Sequence, residues 1–366
     1  MVVRGAGRLL VGINGMKEKS MRKRCLPLLM ALATLACCAN PAFAADACKH
    51  RGDLAQIYCD ESGSLTAELP ADPAKWKNPG TLVFTYAPIE DPALYKDAFA
   101  GFMQFLEAKT GKNVMYYTVY SNSAQVEAMR AGRLHIAGFS TGATCFAVNL
   151  AGFVPIAVKG DEKALQGSRM IVVVKANSPL NSLADVKGQK VAHTSPSSNS
   201  GHLVPLALFP QEGVTPGKDY ELVFAGRHDR AILGVNHGDY AAACVSSEVF
   251  RRMADDGRIK GADYKIIWRS GIFPTSSFGL AHDLHPDLAR KIKEAFFEYR
   301  FPPEMQKNFG GADRFLPVTY KEDWAVVALV AKAADDPLDA AVLEKMRAAE
   351  NAQAGKAREA GSPAGP

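Results

Sequence analysis

A dense group of small hydroxyl side chains lies in residues 193–205, HTSPSSNSGHLVP. Residues 195–201 contain four serines, one asparagine, one proline and one glycine, and an apolar stretch follows. Ser, Asn and Gly are favoured at helix starts, so the pattern predicts a helix that begins near Gly201. The first turn of a helix leaves backbone N–H groups unpaired and carries partial positive charge. Such a turn can bind an anion. The side chains that would add donors are those of Ser198, Asn199 and Ser200.

Gly201 would let an oxyanion approach the backbone closely, because glycine has no Cβ. Neutral donors can hold an anion without burying a fixed cation, which would cost desolvation energy. The alternative is an ordinary helix start with spare serines. Four serines in this stretch favour the anion site over that alternative.

Strands alternate with helices along the chain, which indicates open, largely parallel sheets flanked by helices. The predicted strands are residues 81–86, 113–119, 134–139, 154–159, 170–175, 190–194, 221–224, 240–245 and 264–268. The predicted helices are residues 95–106, 123–130, 201–209, 229–236, 248–255 and 286–299. Ligands of open α/β sheets bind beyond the carboxyl ends of the strands, where the serine-rich segment lies.

The length of the chain that remains after residues 1–44 suits two lobes better than one core. We expect an α/β fold with two α/β lobes that are joined by a two-stranded hinge near residues 167–170 and 269–274 and close on a ligand by hinge bending. The expected boundaries are residues 1–44 for a signal peptide, 45–78 for an N-terminal extension, 79–167 and 271–333 for lobe I, 168–270 for lobe II, and 334–366 for a flexible tail.

The N-terminal segment has the order of features of a secretory signal peptide. A basic run, MRKR, begins at Met21, an apolar stretch follows over residues 25–38, and Ala-Phe-Ala ends at Ala44. Translation would then begin at Met16 or Met21. The alternative is a lipoprotein acylated at one of two cysteines, Cys37 or Cys38. Either reading predicts export to the periplasm, and no later apolar run is long enough to span a membrane.

The net positive charge of the chain comes from this leader. Removing residues 1–44 reduces the 43 basic and 38 acidic residues to 36 and 37, a net charge of −1. The sequence therefore gives no support to a nucleic-acid partner. Four cysteines remain, and we expect Cys48 and Cys59 to form a disulfide in an oxidising compartment. The spacing of the cysteines and histidines fits no zinc site, so we expect no metal and no cofactor.

Several segments resemble the phosphate/phosphite/phosphonate-binding proteins of ABC importers, in collinear order over residues 80–330. The segment VAHTSPSSNSGHLVPLALF is similar to the D-P-x-S-T-S-G-y-L-x-P pattern of that family, with Asn199 in place of Thr. Further similar segments are VEAMRAGRLHIAGFSTGA, LADVKGQKVA, FAGRHDRAILGV and GDYAAACVSS. The resemblance implies the fold of a type II periplasmic binding protein. It also implies that the protein delivers a phosphorus oxyanion to an ABC permease.

In this family the S-T-S hydroxyls and the following amides bind the phosphonate oxygens, and the histidine of the G-x-H-D segment adds a donor. The resemblance therefore implies a binding role for Ser198, Asn199, Ser200 and His228. From the other lobe we expect donors after the first and third strands, namely Tyr86, Ser140 and Thr141. These three could equally be ordinary loop residues.

Two departures from the family pattern bear on the ligand. Ser121-Asn122-Ser123 stands where the family often has an aromatic residue. Ser246 and Ser247 stand where relatives that bind an aminoalkyl phosphonate often place a carboxylate, which a substrate ammonium would need. This argues against aminoethylphosphonate and leaves phosphate, phosphite or another small phosphonate. Glu90 or Asp91 could supply a carboxylate from the opposite side.

Three other functions compete with import. The same fold could present its ligand to a membrane receptor as a sensor, or bind a different small anion or organic solute. It could also carry an enzyme, since His193 and His202 lie near the serines. The sequence has no G-x-S-x-G elbow and no metal-binding cluster, so we expect no catalytic residues.

Overall fold

The computed structural model of the protein describes residue 48 and residues 50–335 and 338–359. The predicted signal peptide, with the alternative acylated cysteines, lies outside the described residues. Within the described part of the chain, none of the helices is long and apolar enough to cross a membrane.

The first lobe, lobe I, is built on a six-stranded sheet flanked by helices. Its first half comprises β1 Thr81–Tyr86, α1 Ala93–Ala98, α2 Ala100–Thr110, β2 Asn113–Tyr116, α3 Asn122–Arg130, β3 Ile136–Phe139, α4 Thr141–Ala151 and β4 Phe153–Gly160. The chain returns to this lobe late. The return comprises β10 Ser277–Ala281, α8 Pro286–Glu298, α9 Pro303–Asn308, β11 Arg314–Pro317, α10 Tyr320–Asp323, α11 Ala325–Ala333 and α12 Ala340–Glu359.

The second lobe, lobe II, is built on a five-stranded sheet. It comprises β5 Gly167–Lys175, β6 Lys190–His193, α5 Val204–Leu208, β7 Glu221–Phe224, α6 His228–His237, β8 Ala242–Ser246, α7 Ser247–Asp255 and β9 Tyr264–Pro274. A helical turn of the wide π type, Asn199–Leu203, leads directly into α5. The serine-rich segment therefore joins β6 to a helix, as the sequence predicts.

Both sheets are mixed, so the expectation of largely parallel sheets is wrong. The strand order is β11-β4-β10-β3-β1-β2 in lobe I and β7-β6-β8-β5-β9 in lobe II. In lobe I, β1 runs parallel to β2 and β3, whereas β10 runs antiparallel to β3 and β4. In lobe II, β6 runs parallel to β7 and β8, whereas β5 runs antiparallel to β8 and β9. The antiparallel pairings arise where the chain crosses between lobes and where it returns.

Two neighbouring segments connect the lobes. β5 begins just after the chain leaves lobe I, and β9 ends just before it returns. The two strands pair with each other at this point, with Gly167 opposite Pro274 and Ser168 opposite Phe273. The predicted fold class, two α/β lobes joined by a two-stranded hinge, is confirmed.

Aromatic side chains fill the core of lobe I between the sheet and α8. Phe278 of β10 and Phe315 of β11 meet at ring centroids 4.8 Å apart, and Phe296 of α8 lies 4.8 Å from Phe315. All three are at most 2% exposed. β10 also pairs with β3 through its backbone, with Ser277 opposite Phe139, and this pairing positions the polar segment that precedes β10.

The N-terminal extension is held against lobe I by a disulfide and by buried side chains. Cys48 and Cys59 are bonded to each other, as the sequence predicts. Leu54 and Tyr58, which lie between the two cysteines, are buried in the lobe I core. The backbone N–H of Ala55 also donates to the carbonyl of Asn149 at 2.7 Å. The disulfide loop therefore belongs to the packed fold.

The expectation of a flexible tail over residues 334–366 is wrong for residues 340–359, which form α12. The Ala, Glu, Lys and Arg residues of this stretch have high helix propensity. Leu343 and Met346, three positions apart, are both 2% exposed and pack on the core. Glu350 on the same helix contacts the hydroxyl of Ser123, in the first turn of α3. The expectation of a flexible tail rested on amino-acid composition, which does not show the apolar face of this helix.

Candidate anion-binding site

A cavity of about 40 Å³ lies between the two lobes. One water needs roughly 10–15 Å³ by the same measure, so the cavity has room for a few water-sized groups. Both lobes and the hinge contribute to its wall, which consists mainly of small polar side chains. The lining residues are Ile89, Ser140, Thr141, Ser168, Ser198, Asn199, Ser200, His228, Ser246, Glu248, Val249, Phe273, Pro274, Thr275 and Ser276.

The serine-rich segment lines one side of the cavity with the start of a helix. Ser198 is the residue before the first helical turn, and its hydroxyl oxygen accepts from the backbone N–H of Gly201 at 3.0 Å. This contact caps the helix and leaves the hydroxyl hydrogen of Ser198 free to donate elsewhere. Asn199 and Ser200 follow in the first turn and also line the cavity. The structure thus brings together the three side chains that the sequence predicts for this side.

Gly201 has a different place from the one expected. It does not line the cavity, and its N–H is already bonded to Ser198. A Cβ at this position would lie 1.8 Å from the hydroxyl oxygen of Thr194 and 2.8 Å from that of Ser198. Glycine is therefore required here because the turn packs tightly against β6, and direct approach of an anion to this backbone is not its role.

His228 occupies the first position of α6, and its neutral ring is held in one tautomer. The backbone N–H of Ser246 donates to Nδ1 at 3.1 Å, so the proton of the neutral ring is on Nε2. Nε2 lies 3.5 Å from the hydroxyl oxygen of Ser198 and faces the cavity side. Burial lowers the pKa of His228 to about 4. The ring is therefore a neutral donor at neutral pH.

Lobe I presents the beginning of α4 to the cavity through Ser140 and Thr141. Their hydroxyl hydrogens are used within the protein. Ser140 donates to the amide oxygen of Asn122 at 3.2 Å, and Thr141 donates to the carbonyl of Pro274 at 2.9 Å. What α4 offers a ligand is therefore its first-turn backbone N–H groups, together with their partial positive charge.

Tyr86 stands behind the wall of the cavity and does not line it. Its hydroxyl accepts from Lys159 Nζ at 3.2 Å and lies 3.1 Å from the hydroxyl oxygen of Ser276. Lysine can only donate, so the Tyr86 hydroxyl must itself donate to Ser276. Ser276 does line the cavity, and its own hydroxyl hydrogen is not used in this contact. The ring of Tyr86 is itself buried among the core residues.

Several lining residues were missed by the sequence analysis. They lie on the hinge or directly after a lobe II strand, namely Ser168, Thr275, Ser276, Ser246 and Glu248. Ser168 and Ser246 bond to each other through their hydroxyls at 2.8 Å. Their signal was weak in the sequence, because Ser168 and Ser246 come together only when β5 pairs with β8.

Two polar atoms in the wall are buried without a hydrogen-bond partner in the described part of the chain. They are the amide oxygen of Asn199 and the hydroxyl oxygen of Thr275. Asn199 is 4% exposed and Thr275 is 2% exposed. A buried polar atom without a partner costs free energy. A polar ligand in this cavity would remove that cost.

A network of buried ion pairs joins the lobes beside the cavity. Lys159 of lobe I lies 3.2 Å from Glu248 of α7, and Arg252 of α7 donates to Glu90 of lobe I at 2.9 Å. Arg258 of lobe II also lies 2.7 Å from Glu90. Burial alone would raise the pKa of Glu248, but Lys159 and Arg252 outweigh burial and hold that pKa below its ordinary value. Glu248 is therefore a carboxylate whose charge is matched by neighbouring cations.

Asn122 forms a second, uncharged connection across the cleft. Its amide nitrogen donates to the hydroxyl of Ser197 at 2.8 Å and to that of Ser195 at 3.3 Å. Its amide oxygen accepts from Ser140. Asn122 therefore ties the start of α3 and the start of α4, both in lobe I, to the serine-rich segment of lobe II.

The sequence matches a family model described as the periplasmic substrate-binding protein of phosphonate ABC transporters, over residues 84–324. The chain belongs to this family. It is 31% identical over 229 residues to the phosphate-import protein PhnD of Mycolicibacterium smegmatis, which corresponds to 60% of this chain and 71% of that protein. It is 24% identical over 214 residues to the phosphonates-binding periplasmic protein of Escherichia coli, or 57% of this chain and 63% of that protein.

A solved structure supports the same fold. The methylphosphonate complex of PhnD1 from Prochlorococcus marinus superposes with a TM-score of 0.63 at 20% identity, and the match covers 70% of this chain and 99% of that one.

A carboxylate does lie in the wall of the cavity, close to the two serines. Glu248, directly after Ser246 and Ser247, lines the cavity. Glu90, the alternative source of a carboxylate, is completely buried in ion pairs with Arg252 and Arg258. The argument against an ammonium-bearing ligand therefore cannot rest on the lack of a carboxylate. It rests on the small volume of the cavity.

Proposed function

We propose that this binding protein captures a small phosphorus oxyanion in the interlobe cavity and delivers it to the permease of an ABC importer. One observation carries the proposal. Helix starts from both lobes and a set of neutral hydrogen-bond donors converge on one small cavity. This combination suits a compact anion with several acceptor oxygens.

The hydroxyl groups of the cavity are arranged to donate. Ser198 accepts from Gly201, and Ser276 accepts from Tyr86, so each has its own hydrogen available for a ligand oxygen. His228 adds a third donor through Nε2. A tetrahedral oxyanion could accept from all of them at once, with help from the first-turn amides of α4.

The size of the cavity favours phosphate, phosphite or methylphosphonate over larger phosphonates. A volume of about 40 Å³ has room for a few water-sized groups, which suits a compact oxyanion better than one with a long substituent. The names of two similar proteins agree with this class, since one imports phosphate and the other was solved with methylphosphonate. We infer that the permease recognises the protein in the periplasm, in the form whose lobes have closed around such an anion.

We further propose that the protein binds its ligand without chemical change. A serine nucleophile needs a base that can take its proton, and His228 is the nearest ring to Ser198. The amide of Ser246 keeps the proton on Nε2, the nitrogen that faces Ser198. The pair is therefore arranged for donation to an anion, and a phosphatase assay on the purified protein should detect no turnover.

Titration calorimetry with phosphate, phosphite, methylphosphonate and aminoethylphosphonate tests the proposed ligand class. We expect the small oxyanions to bind and aminoethylphosphonate to bind more weakly. Ser200→Ala removes one hydroxyl from the wall and should weaken binding by about tenfold. Ser178→Ala is a matched control, because Ser178 follows the far end of β5 and should leave affinity unchanged. Absence of binding to all four compounds would refute the proposed ligand class.

A further inference from the structure

The wall of the cavity contains a feature that an anion site does not need, a carboxylate. Glu248 lines the cavity and is 7% exposed. Both hydrogen bonds that it receives from the described residues end on one oxygen, Oε1: one from Lys159 at 3.2 Å and one from Arg252 at 3.4 Å. The other oxygen, Oε2, accepts no hydrogen bond from the described part of the chain. Its acceptor capacity remains available.

A second acceptor without a donor lies in the same wall. The amide oxygen of Asn199 is buried and has no partner among the described residues. A ligand that could only accept hydrogen bonds would leave both acceptors unsatisfied and would face the negative charge of Glu248. A ligand that carries its own hydrogen would satisfy one of them.

We propose that Glu248 makes the site selective for oxyanions that carry a proton, through a hydrogen bond from a P–OH group of the ligand to Oε2. The inference rests on the proposed function and narrows it. Phosphate and the monoanion of methylphosphonate carry such a hydrogen at neutral pH. Sulfate and methanesulfonate have nearly the same shape and carry none. Glu248 would therefore exclude sulfur oxyanions while the neutral donors hold the remaining oxygens.

The surroundings of Glu248 keep its charge constant over the pH range of the test. The charged and titratable groups near it are Lys159 of β4, Arg251 and Arg252 of α7, His228 of α6 and Glu90 of the loop after β1. The pKa of His228 is lowered to about 4 by burial. Lys159 and Arg252 hold the pKa of Glu248 below its ordinary value in spite of burial. A change in ligand affinity above pH 6 would then report the protonation of the ligand.

Two matched pairs of compounds test the proposal on the unmodified protein. By titration calorimetry, we expect methylphosphonate to bind at least about tenfold more tightly than methanesulfonate, and phosphate at least about tenfold more tightly than sulfate, since hydrogen bonds to charged groups contribute about 1.5–3 kcal/mol. Comparable affinities within both pairs would overturn the proposal. Failure of all four compounds to bind would instead count against the proposed function.

The pH dependence gives a second test. Methylphosphonate loses its last proton near neutral pH, so its affinity should fall by up to about tenfold per pH unit above that point. Phosphate keeps one proton throughout the same range, so its affinity should change much less. A methylphosphonate affinity that rises as the dianion forms would overturn the proposal.

Glu248→Gln should reduce the preference for phosphorus over sulfur oxyanions, because a glutamine amide can donate to a fully deprotonated ligand. Glu90→Gln is the matched control. Glu90 forms ion pairs across the lobes but does not line the cavity, so its loss should change all affinities by a similar factor and preserve the preference. A preference that survives in Glu248→Gln would show that another residue sets it.

Discussion

Gly142, in the first turn of α4, offers a way to separate lobe closure from ligand contacts. A Cβ at Gly142 would lie 2.2 Å from the carbonyl oxygen of Ser197 and 3.0 Å from the backbone nitrogen of Asn199. Gly142 belongs to lobe I, and its two neighbours belong to the serine-rich segment of lobe II. The substitution Gly142→Ala therefore inserts a methyl group between the lobes without removing any donor from the cavity.

The size of the effect follows from this geometry. Ordinary contacts begin at 3.4 Å, so the two backbones must move apart by about 1.2 Å to admit a methyl group 2.2 Å from the oxygen. Both obstructing atoms are backbone atoms, which cannot rotate away. Overpacking of this kind costs about 1–3 kcal/mol, which corresponds to binding about 5–150-fold weaker. The separated lobes pay no such penalty, and alanine is the better helix former by about 1 kcal/mol.

The assay combines calorimetry with thermal unfolding. We expect Gly142→Ala to bind methylphosphonate and phosphate more weakly by this factor, while the melting temperature without ligand stays the same or rises slightly. Gly101→Ala in α2 is a suitable control, since its Cβ would meet only the hydroxyl of Tyr299 within lobe I. Undiminished affinity in Gly142→Ala would refute the view that these backbones touch in the ligand-bound form. A large fall in the melting temperature without ligand would refute the view that the contact is specific to closure.

Three further predictions concern stability and closure. Burial lowers the pKa values of His202 and His228 to about 4, below the ordinary histidine value of 6.5. Between these pH values the unfolded state therefore binds more protons than the folded state. The free energy of unfolding should then fall as the pH drops from about 6.5 to about 4. Urea unfolding at several pH values should show a decline of up to about 1.4 kcal/mol per pH unit for each ring, and His202→Gln should make it shallower; a flat profile would contradict this. Replacing both Cys48 and Cys59 by serine should lower the free energy of unfolding by about 2–4 kcal/mol in the same assay, and an unchanged value would exclude a stabilising role for the disulfide. Asn122→Ala leaves buried hydroxyls unpaired across the cleft and should weaken phosphate binding about tenfold in calorimetry, whereas equal affinity would mean that this connection does not favour closure.

The elements that could be predicted are those with a regular pattern of buried and exposed residues along the sequence. β1 has the predicted bounds, Thr81–Tyr86, and the turn after β6 begins a helix as its serines indicate. Capping residues and alternating polarity are local signals, so they survive without knowledge of the fold. The same local signal identified Ser198, Asn199 and Ser200, while the role of His228 depended on the family resemblance.

Elements without a local pattern were missed. α4 was not predicted because ten of its eleven residues are buried, so it has no polar face to give a helical period. β10 is short and lies directly after the hinge, and no local pattern distinguishes Thr275 and Ser276, which precede it. Their place in the cavity depends on pairings between distant strands. The buried ion pairs were hidden for the same reason, since Lys159 and Glu248 are 89 positions apart.

The residues that form ion pairs between the lobes differ from those that would donate hydrogen bonds to a ligand. This difference offers a way for closure to depend on the ligand. Lys159 and Glu90 are completely buried between the lobes, and each pairs with a residue of lobe II. Buried ion pairs gain little net free energy, because the loss of hydration offsets most of the attraction. The pairs therefore fix the geometry of the closed form without stabilising it strongly. On the proposed function, a ligand that satisfies the donors of the wall and its unpaired acceptors would supply the remaining free energy for closure.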